Sequence, residues 1–249
     1  MKRYFLSLIC GGLICSFVLL ATGCSSASIT DEYASYRDKT SAELFADATT
    51  SLNKKHYAKA SEELSALDAI YPFGPNSKQV KLDMIYANYK NNDLSAALTA
   101  AERYLRLYPS DSNADYAYYM KGCIEYDQGT SWLKKKFKVN AANSNLDDKK
   151  IAFKTFNTLV KMYPHSIYAA DATARMRYLR DLFAEQELMV AKSYYERKAY
   201  VAAANRASIV VQHYANTSSV KDALTLLAQS YDQLGLATER DKTTAILNS

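Results

Sequence analysis

Apolar residues recur along this chain at helical spacing, and three stretches repeat that spacing with the same ending. Ala60, Leu64, Leu67 and Tyr71-Pro72 form the first, Ala97, Ala101, Tyr104 and Tyr108-Pro109 the second, and Ala152, Phe156, Leu159 and Tyr163-Pro164 the third. In each, residues four and seven after the Ala are apolar, and a proline stands twelve after it. Offsets of four and seven place side chains on one face of an α-helix. The proline closes the helix, because it has no N–H to donate and disfavours helical geometry in the residue before it. The segment ahead of each stretch carries its own stripe: Leu44, Ala48 and Leu52; then Leu82, Ile85, Tyr86 and Tyr89; then Tyr116, Met120, Cys123 and Ile124. The pattern predicts pairs of helices that bury their stripes against one another and against the next pair.

A second helix with a small residue, a larger apolar residue and a terminal proline is the mark of a tetratricopeptide repeat. The expected fold is therefore all-α, a TPR-like α-solenoid of about five helix pairs with a long insert in the third. Thr40 followed by Glu43 reads as a capping box that opens the first helix. Asn53 to His56 and Asn91 to Asp93 read as the turns inside the first two pairs. In the third pair about twenty residues, Gln128 to Asp147, replace the short turn, and a loop of that length inside a repeat is usually functional. Its apolar residues Trp132, Leu133, Phe137 and Val139 suit docking onto the array or onto a partner. After Pro164 there is no Gly or Pro until Gly235. Ala169 to Lys198 then reads as one helix about 45 Å long, at 1.5 Å per residue. Val201 to Tyr214 is a further second helix that has lost its proline, and Val220 to Leu234 with Ala237 to Leu247 form a terminal pair around Gly235.

The first 23 residues are a different kind of sequence. Lys2 and Arg3 precede an apolar run from Tyr4 to Ala21, and the segment closes Ala21-Thr22-Gly23-Cys24. A charged start, an apolar middle and small residues at the end make a secretory signal peptide. Small residues leading into a cysteine resemble a bacterial lipobox, so Cys24 is the expected lipidation site and the mature N-terminus. In such lipoproteins an Asp after the cysteine usually holds the chain in the inner membrane; Ser25 implies the outer membrane, with the folded part in the periplasm. Residues 24–39 read as a lipidated flexible tether, 40–126 as N-terminal repeats, 127–148 as the insert and 149–249 as C-terminal repeats.

Composition narrows the chemistry. Net charge is +5 for the whole chain and +3 without Lys2 and Arg3, too little to argue for nucleic acid. Lys134, Lys135, Lys136 and Lys138 form one basic cluster in the insert, most simply a solvated loop. Past the signal peptide Cys24 would carry lipid, which leaves Cys123 as a buried apolar residue without a disulfide partner. His56, His165 and His213 lie far apart and lack metal-ligand spacing, and no calcium loop, phosphate loop, dinucleotide fingerprint or Gly-x-Ser-x-Gly is present. No cofactor and no catalytic residues are expected, and the chain reads as a binding protein. Its 21 tyrosines serve packing between helices and can also line a peptide groove.

One connector is more specific than the fold. Tyr71-Pro72-Phe73-Gly74-Pro75-Asn76-Ser77 runs into Gln79 to Ala87, and this string closely resembles the BamD (ComL) family of outer-membrane β-barrel assembly lipoproteins. The likeness continues in order through Asp115-Tyr116, Lys121-Gly122, Ala170 to Thr173 and Ala191 to Arg206, and covers essentially the whole mature chain. The resemblance implies a non-enzymatic scaffold that receives unfolded outer-membrane β-barrel proteins, binds the POTRA domains of a BamA-type barrel protein, and joins other Bam lipoproteins. It places BamA contact at Asn205 and Arg206, and substrate-signal recognition at Tyr71, Phe73, Gly74 and Pro75. Tyr71 recurs at Tyr108 and Tyr163, which speaks for packing, whereas Phe73, Gly74 and Pro75 do not recur. Gly74 is expected to supply a backbone angle that other residues avoid. The family's charged insert is replaced here by lysines and a neutral Asn/Ala stretch, and Ala215 replaces a common proline, which suggests a looser exit from the fourth repeat. Two other readings fit a TPR lipoprotein: a pilotin for a type IV pilus secretin, and an accessory to cell-wall enzymes.

Overall fold

The structure is a computed structural model, which describes residues 32–128, 142 and 145–248. The chain divides into a short unit, Met1–Ser35, and a main unit, Tyr36–Ser249, which carries the helices. Cys24, most of the tether, and Lys134 to Lys138 with the insert's apolar residues lie outside the described residues.

Ten α-helices and no strand occur among the described residues. They are α1 (Ser41–Asn53), α2 (Tyr57–Ile70), α3 (Ser77–Lys90), α4 (Leu94–Leu107), α5 (Ala114–Asp127), α6 (Asp147–Met162), α7 (Ala169–Glu196), α8 (Tyr200–His213), α9 (Val220–Gln233) and α10 (Ala237–Leu247). Each packs on the next, and first helices also touch across pairs, α3 with α5 and α7 with α9. That is a solenoid of five pairs, as the period requires. The Thr40–Glu43 capping box forms: the Thr40 hydroxyl accepts from the Glu43 N–H, and the Glu43 carboxylate accepts from the Thr40 N–H. Inside four pairs the turn between helices carries one left-handed residue, Lys55, Asn92, Lys198 or Gly235, at φ of 60°, 62°, 61° and 72°. Only glycine takes that conformation without steric cost.

The connectors between pairs are built alike. Tyr71, Tyr108, Tyr163 and Tyr214 each end a second helix at φ of −127°, −133°, −130° and −126°, each donating its N–H to the carbonyl four residues back. Three residues later, the N–H groups of Gly74, Asp111, Ser166 and Thr217 donate to those tyrosine carbonyls at 3.0–3.2 Å. The next helix then starts on the carbonyl of that third residue. Ala215 therefore does not abolish the turn; its closing bond, Val220 to Thr217, is 3.4 Å against 3.0 Å in the other three.

Asp111 shows how such a connector is held. Its carboxylate accepts from the Tyr104 hydroxyl at 2.7 Å, from Lys78 Nζ at 2.7 Å and from the Asn113 N–H at 3.0 Å. Tyr104 is fully buried, so the bond satisfies a hydroxyl that water does not reach. The Lys78 ammonium leads in holding the Asp111 carboxyl down at about 2. A depressed acid stabilises the fold above its unfolded value, 3.8, and loses that contribution as pH falls towards 2. Asp111→Asn should therefore lower the unfolding midpoint at pH 7 and flatten its fall between pH 3.8 and 2 in acid titrations of thermal unfolding.

The core lies in four clusters along the array. One is built from α1, α2 and α3 around Leu44, Leu64 and Val80, and the next from α3, α4 and α5 around Ile85, Tyr104 and Ile124. The third collects Phe156, Leu159, Leu179 and Phe183, and the fourth Ala184, Leu188, Ala191, Val210 and Leu227. The last two share α7, whose 28 residues span about 42 Å. Leu182, Phe183 and Ala184 are buried in succession there, because α7 passes from one cluster into the other.

Candidate functional site

The expected substrate-side residues sit in the first connector. Tyr71 is half-buried against the first cluster, and its hydroxyl donates to the Lys39 carbonyl at 3.0 Å, which ties the connector to the segment entering α1. Its backbone role is shared with three other tyrosines, so Tyr71 has a packing function whatever else it does. Phe73 is the contrary case: it is 97% exposed. Such an aromatic contributes little to folding and is free to contact a partner. Pro75 is also exposed, two residues on.

Gly74 departs from expectation. Its φ is not in the left-handed region, where Gly235 is the one glycine among the described residues. The reason for a glycine is proximity: a Cβ at Gly74 would stand 3.2 Å from Ser41 Oγ and 3.3 Å from the Tyr71 carbonyl oxygen. The equivalent Asp111 and Ser166 use that space for side chains bonded to the first helix of their own pair, to Lys78 and to Asp115. The first connector instead lies directly on the start of α1.

Half-buried tyrosines also cluster on and beside the first helices. Tyr119 stacks on Tyr168 with ring centres 4.7 Å apart, Tyr116 meets Tyr168 at 5.7 Å, and Tyr57 meets Tyr86 edge-on at 5.9 Å. The Tyr89 hydroxyl donates to Asp127, and the Tyr119 hydroxyl to Asp171, each bond joining successive first helices. Tyr86, read in the sequence as an inner-face residue, is exposed instead, as is Tyr178. Arg175 lies 5.5 Å over the Tyr126 ring and pairs with Asp171 at 2.6 Å. Cys123 is buried and burial pushes its thiol up to about 11, so it is a packing residue and not a nucleophile. No cluster of metal-ligating side chains occurs among the described residues.

The expected partner-side residues sit on α8. Asn205 is exposed. Arg206 is held by Glu187 of α7, Nη1 to Oε2 at 2.8 Å, which raises its already high basicity further. Its side chain remains 43% exposed. One amino group is thus anchored while the guanidinium keeps further N–H donors, with which an exposed Arg can take a second carboxylate. On the same helix as Glu187, Arg180 donates to the His213 carbonyl at 3.2 Å and ties α7 to the end of α8. Phe73 and Arg206 therefore belong to two separate surfaces on the first and fourth pairs.

Comparison with known proteins places the array. A family model described as YfiO, outer membrane lipoprotein, matches residues 37–246. The chain belongs to this family. Among its relatives is the outer membrane protein assembly factor BamD of Vibrio cholerae, 37% identical over 92% of this chain and 94% of that protein. BamD proteins of Neisseria meningitidis serogroup A and Haemophilus influenzae are 36% and 34% identical, covering 90% and 92% of this chain and 84% and 86% of their own lengths. The match runs from the approach to α1 into the last turn of α10. No helix among the described residues is long and apolar enough to cross a membrane.

Proposed function

We propose that this chain is a non-catalytic scaffold of outer-membrane β-barrel assembly. Collinear likeness to assembly factors named BamD, over more than nine-tenths of the chain in the Vibrio relative, carries the reading. In this reading Cys24 is lipidated and anchors the chain to the outer membrane, with the array in the periplasm. The N-terminal pairs receive unfolded β-barrel proteins: Phe73 and Pro75, beside Tyr71 and Gly74, offer an exposed apolar edge, and the tyrosine cluster offers rings and hydroxyls to an extended peptide. The C-terminal pairs hold the POTRA domains of a BamA-type partner, with Arg206 reaching a carboxylate and Asn205 beside it. The long α7 links the third and fourth clusters, and other Bam lipoproteins complete the assembly. The pilotin and cell-wall readings, which fit any TPR lipoprotein, have no comparable support.

The test is co-purification from detergent-solubilised membranes. Wild-type protein should bring down a POTRA-barrel protein, Arg206→Glu should lose it by at least about tenfold, and Glu187→Gln should keep it, since removing a charge-assisted contact costs roughly that factor. Retention by Arg206→Glu would move the contact elsewhere. A secretin in place of the barrel protein would overturn the assembly reading.

A further inference from the structure

A cleft of about 610 Å³ opens between α2 and α4, with α3 as its floor. Ligand pockets commonly fall in that size range. Its inner end is charged. Lys81 Nζ lies 2.7 Å from one oxygen of Asp68, and Arg103 Nη1 lies 2.6 Å from the other. The Lys81 and Asp68 side chains are 5% and 6% exposed, whereas Arg103 is 45% exposed. Two cations on one carboxylate leave one positive charge uncompensated at this end. Asp93, at the start of α4, has its carboxylate committed to the Ala96 N–H and stands ten residues, about 15 Å, from Arg103 along the helix. The walls between carry hydroxyls, Ser65 on one side with Ser95 and Thr99 on the other, and Met84 lies in the floor.

The repeat itself shows that the charges are not a requirement of the fold. One pair later the positions equivalent to Asp68, Lys81 and Arg103 are Leu105, Tyr118 and Thr158. There Leu105 packs on the core and Tyr118 meets Tyr163 at 6.0 Å. An uncharged solution is thus available to the same backbone, and a buried ionic cluster generally adds less stability than apolar packing of similar volume. The first cleft keeps a costly arrangement that the next one dispenses with.

We propose that this cleft is a binding site for an acidic peptide segment of a partner protein. Asp68 fixes the Arg103 guanidinium through Nη1, and its outward N–H groups take the incoming carboxylate as a forked pair. Lys81 supplies the buried positive charge beneath, and the hydroxyl walls bond the peptide main chain on either side. Neither Phe73 nor Arg206 lines the cleft, and the site does not depend on the assembly reading. Its test on the purified chain fails or succeeds whatever co-purifies from membranes.

The experiment uses the lipidated chain in detergent, labelled with ¹³C at methionine methyl groups, and follows Met84 in the cleft floor with Met162 as a distant reference. The ligands added are acetyl-Ser-Glu-Ser-amide, its Gln counterpart, and sodium acetate. The Met84 signal should shift saturably with the Glu peptide and need about tenfold more of the Gln peptide, the loss of one charge-assisted contact. Acetate should be weaker than the Glu peptide, and Arg103→Gln should erase the preference for Glu. A combined variant, Asp68→Leu with Lys81→Tyr and Arg103→Thr, imports the next pair's side chains and should do the same on an intact fold. Equal response to the two peptides, acetate as effective as the Glu peptide, or a preference that survives both variants would overturn the proposal.

Discussion

Asp68→Ala should cost about 3–5 kcal/mol of folding stability, the penalty for stranding a buried charge whose partner has been removed. Lys81 is the charge at issue, since it keeps only a 3.4 Å bond to the Ser77 carbonyl once Asp68 Oδ1 is gone. Arg103, half in water, loses far less. The reverse substitution makes the point sharper: Lys81→Met leaves Asp68 with its Arg103 partner and replaces a buried ammonium by a side chain of similar length. The combined replacement of Asp68, Lys81 and Arg103 by the next pair's Leu, Tyr and Thr should fall within about 1 kcal/mol of wild type or exceed it. Urea denaturation at neutral pH separates the cases. A loss under about 1 kcal/mol for Asp68→Ala would mean that water reaches Lys81 as soon as the carboxylate leaves.

Gly122→Ala is the second large effect, and its sign runs against helix propensity. Alanine in the middle of α5 should gain about 1 kcal/mol over glycine. A Cβ at Gly122, however, would stand 2.5 Å, 2.7 Å and 2.9 Å from three ring carbons of Phe156, which is fully buried and has nowhere to move. Overpacking of this kind costs about 1–3 kcal/mol and sometimes more, so a net loss is expected for Ala and a larger one for Val. In a chain of this size each kcal/mol lowers the melting temperature by about 2–4 °C. Phe156→Leu should remove most of the effect of Gly122→Ala while costing stability by itself, so a double-mutant cycle should show strong coupling. Additive losses would refute the ring contact as the cause. The contact joins α5 to α6 across the insert, where no short turn holds the pair.

What was readable in the sequence was whatever depended on neighbours along the chain. The Ala-to-Pro period, the Thr40–Glu43 box and the unbroken run after Pro164 fixed each helix to within about two residues, because helix ends are decided locally by caps and by the N–H that proline lacks. Contacts between distant positions were not readable. Arg206 meets Glu187 across its own pair and Asp68 meets Arg103 because the pairs stack, and charge on a helix says nothing about which neighbouring helix will answer it. Tyr86 shares the spacing of Leu82 and Ile85 yet faces outward, since a stripe wider than the contact leaves its edge in water. Gly74 was visible as a glycine without repeat equivalents, but whether it served backbone angle or close approach depended on Ser41, 33 positions away. Gly122 offered a signal of its own: an isolated glycine inside a strongly helical pattern marks something pressed against the backbone.

Stacked repeats usually behave as a row of dominoes, each held by its neighbours and able to peel from either end. Here α7 removes one joint from the row. Leu179 and Leu188 lie on a single rod but in different hydrophobic clusters, and Tyr214 packs against both. Fraying that begins at α10 meets a beam anchored in the half of the molecule that holds Phe156, and it cannot pass that point without breaking both clusters together. The third and fourth clusters are therefore geared to each other, and the long helix is the shaft.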